Sequence, residues 1–301
     1  MTTYDYSIDV RTIPVTPVDG KPLGRHVRHD SRSRQYAVAP RALGLSTVLH
    51  AFHGPVLDQG NLGSCTGNMV VDTLKTDPFY ATVTEPLVEP LAIKVYSLGT
   101  TFDSDPASYP PTDTGCDGLS VGKAAEQLGL ISGYRWAFGI DQALLALMDG
   151  PIGIGIDWYA GFDNPTGPSA LVSISGAVRG GHEVTVIGYD DATKMLRLVN
   201  SWGIGWGDGG FFSMSVATLD ALLKAGGDVV QFTPLNEEPP TPTPAPVPVP
   251  VPVPTPTPVP PTPTDADAVL AAAVRPWLAK RPFFYKGIQA ATSAWLKAKG
   301  L

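Results

Sequence analysis

Apolar residues recur at helical spacing in several stretches of the chain and at strand spacing in others. Met69, Val70, Val71 and Leu74 fall on one face behind a turn-rich run, which predicts a helix over 65–76. LSVGKAAEQLG at 119–129 and IDQALLALMD at 140–149 predict two more, and 216–225 carries a weaker helical signal. β-branched and aromatic content predicts strands at 152–158, 171–178, 183–189, 195–199 and 210–214. The turn from Asp190 to Thr193 joins the third and fourth of these, so they read as a hairpin. Helices first and strands afterwards is the α+β pattern.

This patterning lapses at both ends. Of the 31 prolines, 14 lie between Pro239 and Pro263, alternating with Thr, Val or Ala. Such a run has no core-forming pattern and reads as polyproline II, a spacer of roughly 80 Å if fully extended. Beyond it, Val269, Leu270, Val274, Trp277 and Leu278 form one apolar cluster, and Phe283, Phe284, Tyr285, Ile288, Trp295 and Leu296 another. With Pro276 and Pro282 as breaks, they predict two short amphipathic helices. Arg25, Arg28, Arg32 and Arg34 mark a basic extended arm near the start. The organisation expected is therefore an arm at 1–44, a folded domain at 45–236, a proline-rich linker at 237–264 and a small helical tail at 265–301.

Composition narrows the function. With 301 residues, 43% hydrophobic and 16% charged, the chain supports one sizeable core. The tail carries +4, leaving −11 on the rest of a chain whose net charge is −7, so nucleic-acid binding has little support. The basic tail suits docking on a protein partner, an anionic wall polymer or a membrane surface, with self-packing an equal alternative. The first 20 residues hold no apolar run of signal-peptide length, and no segment is a spanning helix. The chain reads as cytoplasmic or virion-associated, with a non-classical route if released; the oligomeric state is open.

Three segments carry candidate chemistry: DQGNLGSCTGN at 58–68, GGHEV at 180–184 and NSWGIGWGDGG at 200–210. Cys65 opens the first predicted helix, where unpaired backbone N–H groups and the helix dipole favour thiolate. A thiol with a pKa of about 8.5 is only a few per cent ionised at pH 7, so an imidazolium is needed too, and His182 supplies it. Asn200 ends the next strand and would donate to or accept from the distal imidazole nitrogen, holding the ring. Trp202 would shield that bond from water. Gln59, six residues before Cys65, would join the Cys65 N–H in an oxyanion hole, each donor worth roughly 3 kcal/mol of barrier. His26, His29, His50 and His53 read as surface or structural.

These segments resemble the papain-like cysteine peptidases, with Gln59, Gly63, Ser64, Cys65, Gly181, His182, Asn200, Ser201, Trp202, Gly203, Gly205, Trp206, Gly207 and Gly210 matching the family's signatures. The resemblance implies a two-lobed α+β fold, helical lobe and antiparallel β-sheet lobe, with the cleft between them. It implies Cys65, His182 and Asn200 as catalytic residues, and Gly115, Gly118, Gly181, Glu183 and Trp202 along the substrate. It implies a protein or peptide substrate and neither metal nor cofactor. Three departures matter. Thr66 stands where many members have an aromatic, and is closer to bacterial and phage members. Leu62 replaces a disulfide cysteine whose partner position is Cys116, so no disulfide is expected. Glu183 stands where a small residue often lines the specificity pocket, which would favour a basic or polar side chain next to the scissile residue. The stretch before Gln59 is too short for the family's long helical prosegment: either no zymogen is needed or a brief arm serves. The leading expectation is an endopeptidase; the alternatives are a peptidoglycan-directed amidase or lysin and a non-catalytic binding protein.

Overall fold

The computed structural model describes residues 22–42, 44–105, 107–242, 269–270, 272, 292 and 294–297. The chain divides into two compact units, Met1–Ala245 and Pro246–Leu301. In the second, residues 269–270, 272, 292 and 294–297 are helical. The remainder of the expected tail helices and the proline run from 243 onward lie outside the described residues.

The first unit is built around a helix that starts at the expected residue. Helix α1 (Cys65–Leu74) buries all ten of its residues, where its spacing predicted one buried face. A helix lacking a charged face can serve as the centre of a lobe. It packs against α2 (Glu89–Gly99) and α3 (Gly118–Gln127) through Val70, Val71, Leu74, Val95, Tyr96, Val121 and Ala124. Gly67 makes the approach to α2 close, because a Cβ there would lie 3.0 Å from Tyr96 Cβ. Asn68 Nδ2 then donates to both carboxylate oxygens of Glu89, at 2.8 and 2.9 Å, across the α1–α2 contact.

The second lobe is a seven-stranded sheet. Two two-residue strands, β1 (Arg25–His26) and β3 (Cys116–Asp117), pair in parallel outside it. The sheet comprises β2 (Val48–Leu49), β4 (Gly133–Ala137), β5 (Ile152–Tyr159), β6 (Val178–Asp190), β7 (Met195–Val199), β8 (Phe211–Ser215) and β9 (Asp228–Thr233). Its order is β4-β9-β5-β6-β7-β8, with β2 also on β6, and every pairing is antiparallel. Helices α4 (Ile140–Asp149) and α5 (Val216–Lys224) cover one face, sharing a core with Ile152, Ile154, Ile156, Trp158, Val184, Val186, Leu198 and Phe212. Strand β5 shows how sequence makes both lobes meet. Its isoleucines alternate with Gly153 and Gly155, so one face fills the core while the other is bare at those two positions. A Cβ at Gly153 would lie 3.0 Å from Met69 Cε, which is where α1 lies against the sheet.

Two expectations are corrected. Residues 171–177 are not a strand: Leu171 makes a single bridge to Ser213, Val172 alone turns into the core, and Leu171 and Ile174 are 54% and 40% exposed. Ser169 and Ala170, at φ 64° and 46°, turn the chain just before, and the ladder begins only at Val178. Residues 22–27 are not a separate extended arm either; Leu23, Arg25, His26 and Val27 are buried in the first unit. The expected linker also begins on the domain, since a Cβ at Gly133 would lie 2.5 Å from Pro240. Among the described residues, no helix is long and apolar enough to cross a membrane.

Candidate active site

The two lobes bring the three motif segments together. Cys65 is the first residue of α1, His182 lies within β6, and Asn200 follows β7, the hairpin partner of β6. All three are 0% exposed. The hydrogen bond between His182 Nε2 and Asn200 Oδ1 measures 2.8 Å. Its direction follows from a second bond: Asn200 Oδ1 also accepts from the Ser201 backbone N–H at 2.8 Å, which can only donate. That oxygen is therefore the acceptor, His182 carries its proton on Nε2, and the lone pair lies on Nδ1. Nδ1 is buried and has no hydrogen-bond partner among the described residues. Trp158 stands edge-on to the imidazole at 4.8 Å and Trp202 tilts over it at 5.0 Å, so the histidine–asparagine bond is walled off from water.

Gln59 is positioned by Ser201, whose hydroxyl donates to its Oε1 at 2.7 Å; the Gln59 backbone N–H donates to Ser201 O at 2.9 Å. The asparagine and glutamine segments are thus tied to each other. Gln59 Nε2 donates to Leu62 O at 2.8 Å and to Pro22 O at 3.4 Å. The second acceptor belongs to the N-terminal arm.

That arm fills the cleft. The Gly24 N–H points at the Cys65 sulfur alongside those of Glu183 and Thr66. Gly24 O accepts from the Cys116 N–H at 2.7 Å, and β1 runs on beside β3. Opposite, a Cβ at Gly181 would lie 3.4 Å from Arg25 Cβ, and one at Gly180 would lie 3.0 Å from Leu23. Gly115, at φ +76°, backs onto the same segment, since a Cβ there would lie 3.0 Å from Gly24 C. Beyond Gly24, the Arg25 side chain reaches a pocket holding Glu183 and Asp228. The residues singled out along the cleft therefore do converge, on an extended segment of the chain itself.

Being covered alters the electrostatics. Burial pushes the Cys65 thiol up to about 12, with the Glu183 charge adding to it, against the three backbone N–H groups that favour thiolate. Burial pushes His182 down to about 4, against the hydrogen bond it donates to Asn200, which favours the cation. In the covered state burial thus works against the thiolate expected at the helix N-terminus. Exclusion of water costs both charged forms more than the helix end and the hydrogen bonds return. With the arm in place, the site holds a neutral thiol and a neutral imidazole. Both Cys65 and Cys116 are free.

Residues 130–222 match the model of the papain family cysteine proteases, a stretch that contains His182 and Asn200. The solved structure of xylellain, a cysteine protease from Xylella fastidiosa, superimposes with a TM-score of 0.58 at 17% identity, covering 75% of this chain and 99% of that one. The fold is papain-like. Two Caenorhabditis elegans proteins are similar in sequence over shorter stretches. Cathepsin B-like cysteine proteinase 5 is 35% identical over 68 residues, 22% of this chain and 20% of that protein. Cathepsin B-like cysteine proteinase 6 is 38% identical over 83 residues, 25% and 22% respectively. The papain-like chain thus spans about a fifth of the length of the curated relatives it matches.

Sequence reasoning missed four participants in the papain-like cleft. Gly24 and Arg25 belong to a segment that read only as basic and extended. Trp158 carried a signal, as the large aromatic closing the Ile/Gly alternation of β5, but nothing local ties it to His182. Asp228 lies 203 residues from the arginine it binds, at 2.7 Å, and no local pattern announces such a pair.

Proposed function

We propose that this papain-like domain is a cysteine peptidase whose Cys65 attacks a peptide carbonyl after the thiol proton passes to His182. The observation that carries the reading is the buried His182–Asn200 bond, which leaves Nδ1 as the lone-pair nitrogen in the domain that also presents Cys65 at a helix N-terminus. Proton transfer from Sγ to Nδ1 creates the thiolate and an imidazolium that Asn200 Oδ1 stabilises. The thiolate adds to the carbonyl carbon, and the oxyanion that forms accepts from Gln59 Nε2 and the Cys65 N–H. Collapse expels the amine, which takes its proton from His182, and leaves a thioester. Water, deprotonated by His182, then adds to the thioester and releases the acid and the thiol.

The bond from Gln59 Nε2 to Pro22 O supports this reading, since a substrate carbonyl oxygen would take the place of Pro22 O. The arm must move away before a substrate enters, which at the same time restores water to the site and relieves the burial that holds thiol and imidazole neutral. The substrate is an extended peptide lying between the Gly115–Cys116 and Gly180–Gly181 backbones. Hydrolysis of casein is expected from the wild-type chain and not from Cys65→Ala. Clearing of purified cell walls with casein untouched would overturn the reading, as would proteolysis that survives Cys65→Ala.

A further inference from the structure

Two of the tryptophans near the imidazole depend on one aspartate. Asp163 closes the one-turn helix Ala160–Phe162 that follows β5, and its side chain is 18% exposed. Its Oδ1 accepts from Trp158 Nε1 at 3.1 Å, and its backbone oxygen accepts from Trp206 Nε1 at 2.7 Å. Its Oδ2 lies 3.3 Å from Arg179 Nη1, so the charge is compensated. A buried indole N–H is costly without an acceptor, and each of these two rings finds its acceptor at Asp163 in one orientation only.

Both rings lead to His182. In the β5–β6 register Ile156 stands opposite His182, and Trp158 is the next residue on the same face of β5. The Trp158 ring lies 4.8 Å from the imidazole and 5.0 Å from Trp202. Trp206 lies 5.4 Å from Trp202, the ring that tilts over the imidazole. The pairing shifts register between Trp158 and Tyr159, so the chain leaves the ladder just beyond the indole and brings Asp163 back to it.

The imidazole needs support of this kind. Its hydrogen bond is made at Nε2, while Nδ1 has no partner among the described residues. The torsion about Cβ–Cγ of a histidine is soft, and a bond at the far nitrogen fixes a point rather than a plane. Rocking about that torsion swings Nδ1, the nitrogen that takes the thiol proton. Rings packed on the imidazole suppress the rocking, provided that they are themselves held.

We propose that Asp163 is a positioning residue of the peptidase site. Through Trp158 directly, and through Trp206 and Trp202 in turn, it holds the His182 ring in the plane that presents Nδ1 to Cys65. The proposal rests on the peptidase reading and adds to it a residue that lies outside the three motif segments. Asp163 works here as a hydrogen-bond acceptor, its charge being taken up by Arg179.

The test compares full-length variants on an internally quenched peptide, with active sites counted by titration with a peptidyl epoxide. Asp163→Ala leaves both the Trp158 N–H and Arg179 without their partner. It is expected to lower kcat per titrated site by about 10- to 100-fold while KM changes by less than about twofold. Asp163→Asn, whose Oδ1 can still accept from Trp158, is expected to recover most of the loss. Arg179→Ala removes only the ion pair and is expected to stay within about threefold of wild type. In 15N spectra of the imidazole, the His182 Nε2–H signal is expected to be single and sharp in wild type and Asp163→Asn, and broadened or doubled in Asp163→Ala. Should Asp163→Ala not fold, Trp158→Phe keeps a ring, removes its N–H and is expected to show the same loss in kcat. Unchanged kcat per site, an equal loss in Asp163→Asn, or a loss confined to KM or to the number of titratable sites would overturn the proposal. If the wild-type chain cleaves no peptide, the peptidase reading fails by itself and the His182 signal still decides the proposal. Broadening in Asp163→Ala then supports it, and a single sharp signal there overturns it.

Discussion

The site turns on which atom holds which proton. Because the Ser201 N–H fixes the orientation of the Asn200 amide, Asn200 acts purely as an acceptor toward the ring. Asn200→Asp keeps that acceptor and Asn200→Ala removes it. The alanine variant strands a buried imidazole N–H, at a cost to folding of about 1–3 kcal/mol by urea titration, and the aspartate variant is expected to retain more activity than the alanine one. Gln59→Ala is expected to lower kcat by roughly 10²- to 10³-fold with little change in KM, since its amide acts on the oxyanion alone. A proportional rise in KM instead would assign Gln59 to ground-state binding. Cys65, His182, Asn200 and Gln59 could be singled out from sequence because each sits in a short segment of matching residues, and the structure brings the histidine to the asparagine and the glutamine to Ser201. Arg25, Asp228 and Gly24 could not. Their roles arise only when segments some 40 to 200 residues apart are packed together, and a lone arginine in a basic stretch reads as solvated.

At the level of elements, the strand β5 joins stability to function. Its isoleucine face builds the sheet-lobe core, and Ile154→Ala should destabilise the domain by about 2–5 kcal/mol in urea unfolding. Its glycine face admits α1 and the arm. Strong helical spacing in α1, α3 and α4, the weaker signal of α5 and the β6–β7 hairpin were legible in the sequence, as the β-branched runs and the four-residue turn are local. The short β1, β2 and β3 were not, since two-residue ladders have no period to detect. The false strand at 171–177 has the right alternation but pairs only through the single bridge of Leu171 to Ser213.

The β1–β3 ladder carries its own titration. His26 Nδ1 lies 3.0 Å from Asp103 Oδ2, with Arg28 and Asp117 nearby. Burial penalises the imidazolium, but the bond and charge of Asp103 outweigh it, so the pKa of His26 is raised; by the same contact, against its own burial, that of Asp103 is lowered. The raised histidine contributes stability that is complete below its unfolded value of about 6.5 and lost as pH rises through the folded value. The lowered carboxyl contributes stability that is present above its unfolded value and lost as pH falls through the folded one. Docking of the arm should therefore be firmest in mildly acidic solution and loosen upward. Hydrogen-exchange protection at residues 23–28 is expected to fall as pH is raised past the folded pKa of His26, and His26→Gln should flatten that fall. Protection that is unchanged between pH 5 and 8 in the wild type would contradict this.

At the scale of the whole molecule, the arm makes the resting domain closed. An arm docked 90% of the time leaves a tenth of the molecules competent, and one docked 99% leaves a hundredth. Proteolytic excision ahead of Arg28 is then expected to raise kcat/KM by about 10- to 100-fold on peptide substrates, without altering which residue is acylated. Surface cavities of about 370 and 450 Å3 lie away from Cys65, lined in one case by Tyr36, Trp136 and Pro240 and in the other by His53, Tyr80 and Pro86, while the cleft itself is filled by its own chain. Composition reads as one domain with appendages and gives no sign that residues 23–27 are packed into the first unit. Only three-dimensional packing turns Leu23 and Arg25 inward.

The measurement that bears most directly on the central claim is mass-spectrometric mapping of a peptidyl epoxide on the full chain and on Arg25→Ala. The account predicts a single adduct on the sulfur of Cys65, formed faster in Arg25→Ala, absent in His182→Ala, and never on the equally free but structural Cys116. An adduct on Cys116, or labelling of Cys65 that is indifferent to His182, would contradict it.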